Sequence, residues 1–120
     1  MNTSEDRIDL IDLQQSRGQT LLVPTKLHTK NAIYNIKALL DSGASGEFID
    51  PNLVHKYNLP QFPLDKVINT YNADGSKNAS GKCTHYAKLK VEINDKVMTI
   101  TPKIVALGKH QLFLGISWLQ

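Results

Sequence analysis

The chain has only one cysteine, Cys83, and no concentration of metal-binding side chains. A single cysteine cannot form an internal disulfide, and the four histidines are scattered without the spacing of zinc ligands. The sequence therefore excludes a disulfide-stapled scaffold, and it predicts neither a metal nor another cofactor. Cys83 itself is expected to be a small packing residue.

Long apolar runs are also missing, since no stretch approaches the roughly 20 apolar residues that cross a bilayer. The first residues, MNTSEDRIDL, are acidic where a secretory signal would be basic and then apolar. We therefore expect an intracellular chain, most simply a cytoplasmic one, that does not contact a membrane. A length of 120 residues, 41% of them hydrophobic, is ordinary for one small domain.

Charge is spread unevenly along the chain. The net charge is +3, but residues 1–20 hold four acidic and two basic side chains, a balance of −2, which leaves +5 for the remainder. The excess consists of single lysines, with no run of them and no interleaved aromatic residues. Such lysines usually solvate the outer face of a sheet, so nucleic-acid binding is not expected of this domain.

The amino-terminal half predicts a helix or linker followed by a hairpin. Residues 4–15 start with a possible capping serine and have apolar residues that suit a short amphipathic helix, although a linker fits equally well. Residues 20–28 and 32–40 are strand-like on either side of a polar turn, and the even positions of the second segment form one apolar face.

A short helix is predicted to begin at Asp50-Pro51. The Asp50 side chain can accept hydrogen bonds from amides of the first turn, and proline fits the first helical position. The helix should place Leu53, Val54 and Tyr57 on one side and stop before Pro60. Pro60 and Pro63 then predict an irregular stretch.

The remainder reads as strands. A second hairpin is expected between residues 67 and 86, with its turn within 72–76, where Asp-Gly favours a tight turn. Alternation predicts a strand over 87–93, and a further strand starts at Lys96 and runs on through Pro102 to Leu107. Residues 112–115 form a short buried run, and residues 116–120 could begin a helix. About seven strands and one internal helix predict an all-β fold, a closed barrel or a sandwich.

Asp41 is the candidate for chemistry. It follows two leucines at the end of an apolar strand and precedes Ser, Gly and Ala. A carboxylate at the end of a buried strand, beside a glycine that allows close backbone approach, is suited to acid/base catalysis. Asp-Ser-Gly alone is weak evidence, because all three residue types favour turns.

Three ordered segments strengthen this interpretation. Residues 38–45, ALLDSGAS, resemble the active-site segment of the retropepsin family, the homodimeric aspartic proteases of retroviruses and long-terminal-repeat retrotransposons. Residues 72–81 lie where that family has its flap, and residues 112–115, LFLG, look like its second signature. With residues 116–119 behind it, the last segment is similar to gypsy-type retrotransposon proteases. The resemblance covers residues 18–120 and leaves 1–17 as an amino-terminal linker or short helix.

The resemblance implies a role for each residue of the loop and the flap. Asp41 would be catalytic, and its counterpart would come from a second chain, because no other Asp has an apolar-Asp-Ser-Gly context. Ser42 would brace the two loops, Gly43 would let the substrate backbone approach, and Ala44 would line the cleft. The hairpin tip, Asp74 and Gly75, would close over an extended peptide.

The resemblance also implies the activity and its partners. The expected function is that of an aspartic endopeptidase that cleaves its own polyprotein as a homodimer, in the cytoplasm or within virus-like particles. The alternative is a domesticated or non-catalytic retropepsin-like domain that only binds peptides. Retroviral members commonly add a further interface strand beyond the position where this sequence stops, at Gln120, so the expected dimer is weak.

Overall fold

The computed structural model describes residues 7–9, 20–41, 46–71 and 77–115. Within these ranges the chain forms ten strands and one short helix. The helix is α1 (Pro51–Lys56). The strands are β1 (Arg7–Asp9), β2 (Thr20–His28), β3 (Ile33–Asp41), β4 (Glu47–Ile49), β5 (Gln61–Tyr71), β6 (Lys77–Ala87), β7 (Leu89–Ile93), β8 (Lys96–Ile100), β9 (Lys103–Ile104) and β10 (Leu112–Gly115).

All ten described strands belong to one mixed sheet, in the order β1-β5-β6-β9-β4-β10-β3-β2-β7-β8. The sheet curls into a half-barrel, with β1 and β8 as the two edges of its described part. The predicted all-β fold class, with one short internal helix, is confirmed. No helix in the described ranges is long and apolar enough to cross a membrane.

The first hairpin is confirmed, with β2 and β3 paired from Thr20–Asp41 at one end to His28–Ile33 at the other. Its turn is stabilised by the Thr29 hydroxyl, which donates to the Ala32 carbonyl oxygen at 2.8 Å. Ile36, Ala38 and Leu40 of β3 point into the core, as the alternation predicts, whereas Tyr34, at the start of the same face, is exposed. This hairpin delivers Asp41 to one end of the sheet.

Helix α1 begins as its sequence predicts. The Asp50 carboxylate accepts from the Asn52 amide at 2.9 Å, and Pro51 occupies the first helical position. Leu53 and Val54 are buried against the sheet, and Tyr57 is the C-cap. The helix therefore covers one face of the half-barrel.

The second hairpin is confirmed as β5 and β6, and its predicted turn at 72–76 lies outside the described residues. The irregular stretch expected around Pro63 is wrong, because Pro63 lies within β5 and pairs with His85. In the described structure β1 reaches only Asn69–Tyr71 of β5, so Pro63 lies on a part of β5 that is a sheet edge, where proline is tolerated. The pairing also shifts register between Pro63 and Ile68.

The alternation predicted over 87–93 is confirmed by β7, in which Leu89, Val91 and Ile93 are buried. The turn to β8 places Asn94 and Asp95 at φ of 52° and 67°, the left-handed geometry of a tight hairpin turn.

The strand expected to continue from Lys96 to Leu107 is divided. Strand β8 stays at the sheet edge beside β7, whereas β9 lies between β6 and β4. Pro102 separates the two, and its carbonyl oxygen accepts from the Ala87 amide as the chain crosses over. A continuous strand was wrong because proline has no amide to continue the ladder.

The amino-terminal segment differs from both expectations where it is described. Residues 7–9, predicted as helix or linker, form strand β1, which pairs in parallel with Asn69–Tyr71 of β5. This pairing is non-local, so helical spacing could not reveal it. Two other predictions, for the remainder of 4–15 and for a helix at 116–120, lie outside the described residues. The division of the chain into a linker at 1–17 and a domain at 18–120 stays a prediction.

Candidate active site

Asp41 is the last residue of β3 and is fully buried, with 0% of its surface exposed. On one side it is paired with Thr20 of β2, and on the other it lies opposite Gly115 of β10. Because the flanking strands enclose it, this carboxylate is held in the sheet rather than projecting from a surface turn. The expectation of a buried acidic residue at a strand end is met.

The loop that follows Asp41 lies outside the described residues, so the roles assigned to Ser42, Gly43 and Ala44 stay predictions. The end of the loop is described. Gly46 has φ +96°, and its carbonyl oxygen accepts from the Gly115 amide at 2.9 Å. An added Cβ at Gly46 would approach the Phe48 ring to 3.3 Å. Gly115 therefore contacts both ends of the loop, and the backbone of Gly46 favours glycine.

Strand β10 joins the two sequence signatures in space. It runs parallel to β3, with Leu112 opposite Ala38 and Gly115 opposite Asp41, and antiparallel to β4. All four residues of β10 are buried, and the Phe113 ring lies 5.9 Å from that of Phe48. The LFLG segment is thus the buried strand that pairs with the end of β3.

Asp50 is the second buried carboxylate of the described structure, but it has a structural role. Its Oδ2 accepts from the Asn52 amide at 2.9 Å and its Oδ1 accepts from the Leu107 amide at 2.8 Å. These bonds fasten the start of α1 to the segment that leads into β10. The assignment of Asp50 to a helix cap is confirmed.

The β5–β6 hairpin is where the resemblance places the flap. Its tip, including Asp74 and Gly75, lies outside the described residues, so the substrate contacts assigned to these two residues are untested. The described arms shift register again between Asn69 and Tyr71, and Gly81 of β6 has φ +73°. The arms are therefore irregular below the tip, which departs from a flat two-stranded ribbon.

Two exposed leucines beside the site were not singled out from the sequence. Leu21 and Leu22 follow Thr20 on β2 and are 64% and 54% exposed. Leu21 is paired with Leu40, the residue before Asp41. Sequence offered no signal for this exposure, since both leucines belong to a run that reads simply as apolar strand.

Cys83 is fully buried, and its thiol lies 3.6 Å from the His85 carbonyl oxygen. Burial raises the pKa of the thiol, an effect that the charge of Lys103 partly opposes. A buried thiol that resists ionisation is a poor nucleophile. In the described ranges no three His, Cys, Asp or Glu side chains are grouped to hold a metal ion.

Comparisons with known proteins give one family match and two structural matches for this chain. A family model, the PEG10/RTL1 protease domain, matches residues 37–120, which include Asp41 and both signatures. Among solved structures, the retroviral protease-like domain of Ddi1 from Leishmania major matches at 14% identity and a TM-score of 0.49, covering 84% of this chain and 73% of that one. The protease of Simian Foamy Virus (mac) matches at 16% identity and a TM-score of 0.46, covering 82% of this chain and 94% of that one.

Proposed function

The chain belongs to the PEG10/RTL1 protease domain family, and from that premise we propose that it is an aspartic-type endopeptidase completed by a second copy of itself. The observation that carries the proposal is the burial of Asp41 at the end of β3, directly beside Gly115 of the second signature. Acid/base catalysis uses carboxyl groups held in such buried positions, so the burial of Asp41 supports a catalytic role for it.

The other aspartates with described side chains do not share this setting. Asp50 is committed to two backbone amides. Asp65 lies exposed on β5, and Asp95 lies exposed in the β7–β8 turn. One chain therefore supplies one suitable carboxylate from its described part, and a dyad requires Asp41 from each of two chains.

The dyad would act through a bound water. Two carboxyl groups held close together cannot both ionise easily, so they share one proton. The ionised carboxylate of the first Asp41 takes a proton from the water as the water oxygen attacks the peptide carbonyl carbon. The protonated carboxyl group of the second Asp41 donates its proton to the carbonyl oxygen. When the tetrahedral intermediate breaks down, the C–N bond cleaves and the leaving amine takes the proton that the first Asp41 gained from water. The second Asp41 takes a proton back from a hydroxyl group of the intermediate, which leaves a carboxylic acid product and a dyad that again holds one proton. The reaction needs no covalent intermediate with the enzyme.

Leu21 and Leu22 support association near the site. Exposed leucines adjacent to Asp41 on β2 offer apolar surface that a second copy would cover, and burying one such side chain stabilises by about 1.5–3 kcal/mol. A domain of this size buries a modest share of its surface alone, so pairing is favourable.

The substrate we propose is an extended polypeptide, in the first instance the polyprotein that contains this domain. Ser42 would brace the paired loops, Gly43 would admit the substrate backbone, and Ala44 would line the cleft. Asp74 and Gly75, at the tip of the β5–β6 hairpin, would close over the peptide and exclude water. The cytoplasm, or a virus-like particle within it, is the proposed location.

The test is cleavage of a peptide library by the purified chain, followed by mass spectrometry. We expect discrete cleavage products from the natural sequence, none from Asp41→Asn, and unchanged products from Asp95→Asn, which makes the same chemical change at an exposed turn. Cleavage that survives Asp41→Asn would overturn the assignment. Saturable peptide binding without any cleavage would instead identify the non-catalytic peptide-binding domain.

A further inference from the structure

A large cleft lies at the end of the first hairpin remote from Asp41. Its volume is about 900 Å³, and it is lined by the β2–β3 turn, the exit of α1 and the start of β7. Since β2 pairs with Asp41 at Thr20 and reaches the cleft at His28, eight residues of extended strand, about 26 Å, separate the two sites. The cleft is therefore independent of the proposed peptidase centre.

The cleft is strongly basic. Among the residues that the structure describes, four exposed lysines and no acidic side chain line it; the lysines are Lys30, Lys56, Lys88 and Lys90. The nearby carboxylate of Glu92 is engaged by His28, whose Nε2 lies 3.0 Å from Oε1. In the sequence Lys88 and Lys90 are two residues apart, but Lys30 and Lys56 are distant from them and from each other, and only the fold brings the three positions together. The folded chain therefore has a cluster of positive charge that the sequence does not show as a run of lysines.

Two tyrosines give the same cleft an aromatic surface. The Tyr34 and Tyr57 rings have centroids 4.4 Å apart and an interplanar angle of 33°. Tyr34 is 36% exposed, so part of the pair is accessible to a ligand. The Lys56 ammonium lies 5.4 Å from the centre of the Tyr57 ring, within the range of a cation–π interaction. A positive charge and an aromatic ring are therefore adjacent in the cleft.

The walls of the cleft are fixed by hydrogen bonds in the free chain. The Lys88 amide donates to the Pro60 carbonyl oxygen at 3.2 Å and joins β7 to the helix exit. The Leu59 amide donates to the Val54 carbonyl oxygen at 3.0 Å. The Thr29 hydroxyl accepts from the Ala32 amide at 3.1 Å and closes the turn. A ligand would enter a preformed site and would not have to order it.

We propose that this lysine cleft, the site lined by Lys30, Lys56, Lys88, Lys90 and the two tyrosines, binds single-stranded nucleic acid. Lysines contact backbone phosphates, and an accessible aromatic ring stacks with an unpaired base; together they are the two elements of single-strand recognition. A duplex is disfavoured because its grooves accept a protruding element and its bases are already stacked. An acidic peptide would use the lysines but would leave the tyrosine surface without a stacking partner.

The proposal reverses the expectation drawn from the sequence, where separated lysines argued against nucleic-acid binding. It does not depend on peptidase activity, because the cleft is separate from Asp41. The probe is a fluorescent oligouridylate of about twelve nucleotides, within the range of single-strand site sizes, titrated with the full 120-residue chain and followed by anisotropy. We expect saturable binding whose log K falls with log salt at a slope of about −0.7 per phosphate contacted, hence up to about −3 for four lysines.

Matched variants locate the binding. The double variant Lys88→Gln with Lys90→Gln should weaken binding and reduce the slope of log K against log salt by about 1.4. The control double variant, Lys37→Gln with Lys96→Gln, removes two exposed lysines outside the cleft. It should leave that slope unchanged. Tyr34→Ala should weaken binding at least about fivefold. Tyr34→Phe keeps the ring and should bind within about twofold.

Three results would overturn the proposal. They are the absence of saturable binding by the natural chain, equal losses in the cleft and control lysine pairs, and binding of a polyglutamate peptide as tightly as the oligouridylate. The last result would identify a polyanion site that takes acidic peptides. Cleavage activity enters none of these measurements, so failure of the proposed peptidase function would leave this test intact.

Discussion

Replacing Asp50 tests how the fold supports the candidate site. Asp50→Ala removes two acceptors at once: the Oδ2 that caps α1 through the Asn52 amide, and the Oδ1 that accepts from the Leu107 amide. Loss of an N-cap costs about 1 kcal/mol. A buried amide left without an acceptor costs about 1–3 kcal/mol, and the bond to Leu107 is buried. The free energy of unfolding should therefore fall by about 3 kcal/mol.

Asp50→Asn is the matched variant, because it has nearly the same shape and retains one acceptor oxygen. It should lose roughly half as much stability, since one of the two amides keeps a partner. Urea unfolding monitored by circular dichroism measures both differences, provided that the slope of the transition is unchanged. A loss below about 1 kcal/mol for Asp50→Ala would refute the argument that this carboxylate fastens α1 to the segment before β10.

Three further outcomes follow from particular residues. Gly46→Ala should destabilise the chain by at least about 1 kcal/mol in the same urea assay, because alanine is strained at φ +96° and its Cβ would crowd Phe48. Cys83 should react slowly with iodoacetamide at pH 8 and quickly in urea. Its burial raises the pKa of the thiol in the folded chain alone, so this group's contribution to stability is complete below the ordinary thiol pKa and is lost as pH rises from there through the raised pKa of the folded chain. Leu21→Asp should shift sedimentation at a fixed concentration towards monomer and lower specific activity, whereas Val97→Asp, at a similarly exposed residue on edge strand β8, should do neither.

The local elements were predictable because their signals are local. Proline after Asp50 gives the start of α1, and strict alternation gives β7. Strands β4 and β9, of three and two residues, carry too little pattern to be recognised, so about seven strands were expected where ten are described. Strand β1 exists through its pairing with β5, which lies some sixty residues away along the chain. Whether such short segments form strands depends on their pairing with segments that are distant in the sequence.

The candidate site was predictable in part. Apolar residues before Asp41 indicated its burial, and the resemblance indicated that residues 112–115 belong to the same site. The direct pairing of Asp41 with Gly115 is a product of the parallel contact between β3 and β10. The bond from the Gly115 amide to Gly46 continues the antiparallel contact between β10 and β4. The exposure of Leu21 could not be predicted, because the residue pattern of a strand does not show whether its outer face contacts water or another chain.

Subunit mixing tests the central claim, that Asp41 acts only as one of a pair supplied by two chains. The natural chain is held at a concentration where its mass is dimeric, and a ninefold excess of Asp41→Asn is added before cleavage is measured. Random pairing should lower the activity about tenfold, because most natural chains then share a site with an inactive partner. An equal excess of Asp95→Asn should raise the activity instead. Activity that is unchanged by the Asp41→Asn chain, while the mass shows mixed dimers, would contradict the two-chain active site.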